Sequence, residues 1–224
     1  ESRGHRFVRY ADDLSIYVKS QRAGERILAN VSDWLSKRLK LRVNMEKSGV
    51  YRYNRAELLG FGFYKDSKGI QLRISKDSLR RFRGKLRGFT RRFTRESVID
   101  RTVNISSLSR GWLWYFALAK GRGHMQSLDE WLRRRLRQAI WCHWKRVRVR
   151  IRSLERLGVS SELAYQWGNS RRGSWTISKS PVLHRTITNK RLEKRGYESL
   201  LEMYNSIHEN LSNRRDTRTV RPVV

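Results

Sequence analysis

A chain of 224 residues has room for one large domain or two small ones, and its 51 lysines and arginines against 20 acids give a net charge of +31. A compact chain with that charge repels itself unless a polyanion offsets it. Its 8 Trp, 9 Tyr and 7 Phe, spread through the basic sequence, exclude a merely disordered tail and point to a folded nucleic-acid binder. The single cysteine, Cys142, leaves no disulfide framework and no cysteine-based zinc site, and Cys142-His143 has no second half with which to bind a metal. No apolar run approaches the roughly 18 residues of a membrane span, so no membrane partner is expected. No signal peptide opens the chain, and a cytoplasmic location is expected. The chain starts at Glu1 rather than Met, as a fragment does. Its electrostatic centre is residues 71–157, with 24 basic and 6 acidic groups.

In chain order, Phe7–Tyr10 and Leu14–Val18 are β-prone runs flanking Ala11-Asp12-Asp13, a hairpin with acids at its tip. Ile27, Val31, Trp34, Leu35 and Leu39 have helical spacing and predict an amphipathic helix over Ala23–Leu41. The stretch 41–53 reads as irregular with short strands. Leu58–Tyr64 and Ile70–Ile74 read as a second hairpin joined through residues 65–69. From there the sequence turns helical. Ser75 is a candidate N-cap with Asp77 in the first turn, and Leu79, Phe82, Leu86, Phe89 and Phe93 form one apolar seam. A second helix is expected over Ile105–Lys120.

The third helix is expected over 127–150, since Ser127 and Glu130 have the spacing of a capping box. Leu128, Leu132, Leu136, Ile140, Trp144, Val147 and Ile151 form its apolar stripe. At 100° per residue, Arg134, Arg137, Trp141, Lys145, Arg148 and Arg152 fall on the adjacent stripe. That row of cations with one indole suits an RNA backbone with a base against the ring. The bland alternative is a solvated face. Beyond Gly158, short helices over Ser160–Gly168, Pro181–Thr188 and Glu198–Ser206 alternate with loops around Ser174–Ile177, and 210–224 reads as a disordered basic tail.

Two adjacent aspartates at a hairpin tip repel one another, and a divalent cation resolves that repulsion. Mg²⁺ prefers carboxylate oxygens and keeps several waters, and nucleotidyl transfer needs such an ion at the attacking and leaving oxygens. An acidic turn of no function is the alternative for Asp12-Asp13 taken alone.

Context adds to the pair. Arg9-Tyr10-Ala11-Asp12-Asp13 resembles the catalytic hairpin of reverse transcriptases, Asn44-Met45-Glu46-Lys47-Ser48 the next block of that family, and Leu58-Leu59-Gly60-Phe61-Gly62-Phe63 the block that grips the primer. Further on, Leu108–Phe116, Leu128–Arg137, Trp141 and Trp144-Lys145-Arg146 resemble the thumb, or maturase, helices of group II intron proteins. Ser170–Trp175, Asn189–Leu192 and Gly196-Tyr197 resemble the segment that closes many bacterial members.

The resemblance implies an α+β fold: the C-terminal part of a reverse transcriptase palm, with antiparallel hairpins and a helix, followed by a mainly helical thumb/maturase domain. The expected divisions are palm over 1–74, thumb/maturase over 75–157, a C-terminal maturase segment over 158–209 and the tail over 210–224. The implied activity is RNA-directed DNA polymerase with intron-RNA binding, in a bacterial host. Its partners would be intron RNA as template, a DNA primer or target and dNTP substrate. By the same resemblance Asp12 and Asp13 would hold Mg²⁺, and Tyr10, Ala11, Leu59, Gly60, Phe61 and Gly62 would line the nucleotide and primer. Lys47 would assist the triphosphate as a proton donor, or sit in an exposed loop without a role. The family places fingers and another metal-binding Asp before the hairpin. Three readings stand: a fragment of a longer enzyme, a chain completed by its missing N-terminal half as a second chain, or a degraded remnant. The alternative function is a non-catalytic RNA-binding splicing helper.

Overall fold

The computed structural model describes residues 4–91 and 96–218, with side chains through Asn213. Phe93 of the expected seam and residues 219–224 of the expected tail lie outside the described residues. The fold is α+β, with two small antiparallel sheets and then a series of helices. It divides into two compact units, residues 1–75 and 76–224.

In the first unit, strands β1 (Arg6–Tyr10) and β2 (Asp13–Tyr17) pair antiparallel around the two-residue turn Ala11-Asp12. The apolar side chains Phe7, Val8, Leu14 and Tyr17 are exposed. Helix α1 (Gln21–Leu39) starts where the Ser20 hydroxyl accepts from the Ala23 amide, and stops at Lys40, which is left-handed and donates to the Leu35 carbonyl. Gly24 is buried because a Cβ there would meet Val50 at 2.7 Å and Val18 at 3.3 Å, so α1 packs closely on both. Ile27, Val31 and Leu35 are half-buried, while Trp34 and Leu39 of the same predicted stripe are exposed.

No strand forms across 41–53, contrary to expectation; turns held by Asn44 and Arg52 take their place. The predicted strand Leu58–Tyr64 is broken by a turn at Leu59-Gly60. The sheet is therefore β3 (Glu57–Leu58), β4 (Phe61–Asp66) and β5 (Gly69–Ile74), all antiparallel.

The second unit opens with α2 (Lys76–Phe89), which directs Phe82 and Leu86 inward and its arginines outward. Helix α3 (Val98–Tyr115) begins earlier than the predicted Ile105, because Ser97 and Asp100 form a reciprocal capping box. The Trp112 ring stacks on Phe82 at 4.0 Å and joins the two helices.

Helix α4 (Arg122–His143) departs most from expectation. It starts five residues before Ser127, which lies inside it, so the predicted capping box is absent and Glu130 instead accepts from the Gln126 side chain. It also ends at His143. The chain breaks over 144–146 and restarts as α5 (Val147–Arg156), so one predicted helix is two. The core accordingly holds Leu128, Leu132, Leu136 and Ile140 of the apolar stripe but leaves Val147 exposed.

After α5 come α6 (Ser161–Gly168), α7 (Ser174–Ile177), α8 (Pro181–Thr186), α9 (Asn189–Glu193) and α10 (Leu200–Arg218). Helix α10 runs on through residues expected to be a disordered tail. Leu200, Tyr204 and Ile207 give it a buried face, and it packs on α3 and α4. Asp129 of α4 anchors its start. That carboxylate, 1% exposed, accepts from the Tyr197 and Ser199 hydroxyls and from the amides of Leu200 and Leu201. A buried acid at a helix N-terminus satisfies amides that have no partner within the helix.

Candidate functional site

The β1–β2 pairing sets Tyr10 and Asp13 opposite one another, with Ala11 and Asp12 between them. Ala11 is left-handed at φ 53°, the first central position where hairpin turns favour positive φ. Arg9 secures the turn by donating to the Ala11 carbonyl at 3.0 Å. Asp12 and Asp13 are exposed, and neither makes a side-chain hydrogen bond or ion pair with described residues. Two adjacent free carboxylates are hard oxygen donors of the kind Mg²⁺ takes. Among the described residues no group of three or more potential metal ligands gathers.

A second predicted element is also a tight turn. Leu58 pairs with Phe61, and between them Leu59 (φ 52°) and Gly60 (φ 80°) are both left-handed, as the commonest two-residue hairpin turn requires. Leucine there costs about 1–2 kcal/mol. The Ser75 amide fixes the turn by donating to the Gly60 carbonyl, and buried Gly62 leaves room for Arg73, whose Nε would lie 3.0 Å from a Cβ. Backbone strain of this kind concentrates at functional sites. Two of the three described non-glycine residues with positive φ, Ala11 and Leu59, fall in two segments singled out from sequence, the acidic hairpin and the Leu58–Phe63 block.

Lys47 lies in a third turn, where the Asn44 side chain accepts from the amides of Glu46 and Lys47. Its side chain is exposed and has no partner among the described residues.

The predicted RNA-binding stripe is not one surface. Arg137 is 5% exposed; its guanidinium donates to the Ile187 carbonyl at 2.9 Å and the Asn189 side chain at 3.0 Å. Burial, and then the nearby Arg133 charge, lower its pKa. Trp141 is 2% exposed, with the Trp144 ring edge-on and Arg150 over its face. Neither reaches solvent, and both are withdrawn from the stripe. Arg134 is half-buried, stacked 3.7 Å over Trp175 and bonded to that residue's carbonyl. Lys145 lies in the break, and Arg148 and Arg152 lie on α5. These three are exposed, and their side chains make no hydrogen bond or ion pair with described residues.

Other cations of this unit are also committed to the fold. Arg135 donates to the Thr90 hydroxyl and carbonyl, closing the C-terminal end of α2 where a cation is favoured. Arg101 donates to the Arg91 carbonyl, and Arg110 pairs with Glu198. By contrast Arg146 and Arg156, which the 100° stripe omits, are exposed and, like Arg148 and Arg152, have no side-chain partner among the described residues. The sequence signal that finds them is the density of arginine over 146–156, not a helical stripe.

Residues 79–158 match the family model "Group II intron, maturase-specific domain", and residues 1–63 match "Reverse transcriptase (RNA-dependent DNA polymerase)". No curated protein matches the chain. The acidic hairpin, Lys47 and the Leu59-Gly60 turn lie within the second match, and α3 to α5 within the first; α6 to α10 follow both.

Proposed function

This chain belongs to the reverse transcriptase/maturase family of group II introns, and from that premise we propose that it extends a DNA primer on an RNA template through its acidic hairpin and holds intron RNA through the free cations around α5. The pair Asp12 and Asp13 carries the catalytic half: adjacent, exposed and without a side-chain partner among the described residues, within the matched polymerase region. Their carboxylates would hold Mg²⁺. When bound, that ion lowers the pKa of the primer 3′ hydroxyl and neutralises charge on the leaving pyrophosphate. Tyr10 and Ala11 line the nucleotide side of the hairpin, and the Leu59–Gly62 turn offers backbone to the primer. Lys47 donates a proton to the pyrophosphate released from the dNTP.

Palm function is assigned to residues 1–74, thumb and maturase function to 75–157, and an RNA-binding extension to 158–209. A two-stranded hairpin is marginal in water by itself, and β1–β2 exposes apolar side chains along its length. This supports an active enzyme in which a further polypeptide segment covers the hairpin.

Primer extension on an RNA template tests the reading. The chain alone is expected to be inactive. Joined to the N-terminal half of a family member it should extend primers, and Asp12→Ala should abolish that activity. A second reading, a splicing helper without polymerase activity, is favoured by the lack of a third carboxylate near the pair among the described residues. It would be upheld if the joined protein binds RNA but never extends a primer.

A further inference from the structure

We infer that the α5–α6 hairpin grips single-stranded RNA, with α5 arginines on the phosphates and Tyr165 of α6 stacked on an unpaired base. The inference rests on the RNA-binding reading above and extends it past residue 158, where the family match stops.

The two helices pack tightly on each other. Leu154 and Ala164 are fully buried, and a Cβ on Gly168 would come within 2.5 Å of Ile151, so glycine permits close approach. Ile151, in the first half of α5, meets Gly168 at the end of α6, and the link is short, with Gly158 at φ 91°. The pair is therefore antiparallel.

With that seam filled, the other faces turn outward. Residues 145–172 carry eight basic and two acidic side chains. Glu155 and Glu162 lie at the linked end together with Arg156, while Arg146, Arg148, Arg152, Arg171 and Arg172 lie toward the open end. The latter five arginines are exposed, with side chains that make no hydrogen bond or ion pair among described residues.

Tyr165 is 66% exposed, more than any other large apolar side chain described, and contributes little to the core. Helical spacing sets Arg148 and Arg152 on one flank of the Ile151–Leu154 seam and Tyr165 on one flank of the Ala164–Gly168 seam. In an antiparallel pair these flanks form the same side of the hairpin. Tyr165 thus stands on the side that carries Arg148 and Arg152, about level with Leu154 and next to the acids of the linked end. Phosphates follow fixed cations whatever the strand's form, but an aromatic platform needs a base outside its own stack. This combination fits an unpaired strand better than a duplex.

The test uses the intact chain and three probes in fluorescence anisotropy: a single-stranded RNA, the same sequence as a duplex, and an abasic strand of equal length. Tyr165→Ala should weaken the single strand by roughly five- to a hundredfold, and leave the duplex and abasic strand unchanged. Tyr165→Phe should behave as wild type. The double variant Arg148→Ala/Arg152→Ala should weaken all three. An equal effect of Tyr165→Ala on all probes, or none on any, overturns the inference while leaving RNA binding intact. Polyglutamate competing as well as RNA overturns it in favour of an acidic protein partner. A wild-type chain that binds no RNA overturns the reading of function itself.

Discussion

Helices α4 and α5 are both rich in arginine, yet they use it in opposite ways. On α4, Arg137 is buried against a carbonyl and an amide, Arg134 lies over Trp175, and Arg135 closes the end of α2. On α5, Arg148 and Arg152 touch no described partner. A guanidinium offers five donors in a fixed fork, and α4 uses those donors to tie separated segments together without needing acids. The lesson is that basic residues in a nucleic-acid-binding protein are not all contacts. Some are cross-links of the fold, and burial with carbonyl partners tells the two apart.

The largest expected effect comes from Trp141→Ala, which empties a fully buried site and should cost about 3–5 kcal/mol of stability. Urea unfolding of the variant checks this. A loss below 1 kcal/mol would mean that the indole is not core and could serve as a stacking surface after all.

Arg137→Ala comes next. It leaves the Ile187 carbonyl and Asn189 side chain without their donor, at about 1–3 kcal/mol for each buried group stranded. Arg137→Lys should not restore stability, because a lysine lacks the fork.

A third effect depends on pH. Burial, and then the neighbouring Asp129 carboxylate, push the Tyr197 phenol well above its ordinary range. The folded state therefore holds that proton more tightly than the unfolded chain. The resulting stability is complete below about pH 10, where the unfolded tyrosine titrates, and is lost as pH rises toward the folded value. Unfolding midpoints measured from pH 8 to 11 should fall above 10. In Tyr197→Phe that component of the decline should disappear. An unchanged pH profile in the variant would show that the phenol is not the group responsible.

Much of this was legible in the sequence, and the misses have identifiable causes. The acidic hairpin was clear because Asp12 and Asp13 sit between two β-prone runs, and such a pattern has few alternatives. The extent of α4 was not. Ser127 and Glu130 satisfy the spacing of a capping box anywhere they occur, including the interior of a longer helix. The break at 144–146 was hidden because the apolar period happens to continue in phase across it, through Val147 and Ile151. In Val147–Arg152 apolar and basic residues alternate, which in a helix sends Val149 to the side opposite Ile151 and leaves it exposed. Arg137 and Trp141 were misplaced for a different reason. Periodicity gives a residue's direction from its helix axis, but Arg137 is covered by residues 187–189, far along the chain, and Trp141 by Trp144 and Arg150, just beyond the helix. The strained turn at Leu59 carried no local signal, since leucine rarely occupies the left-handed region.

The smallest effect on stability belongs to Arg148→Ala, expected within about 0.5 kcal/mol of wild type, and it makes the most direct measurement possible when set beside Arg137→Ala. RNA affinity of both variants and the wild type is measured from low to high salt, with thermal unfolding recorded for each. Each phosphate contact on a single strand contributes about −0.7 to the slope of log affinity against log salt. Arg148→Ala should flatten the slope by about one contact and leave unfolding unchanged, whereas Arg137→Ala should lower the unfolding temperature and leave the slope intact. A flattened slope for Arg137→Ala with unaltered unfolding, or an unaltered slope for Arg148→Ala, would contradict this division of roles.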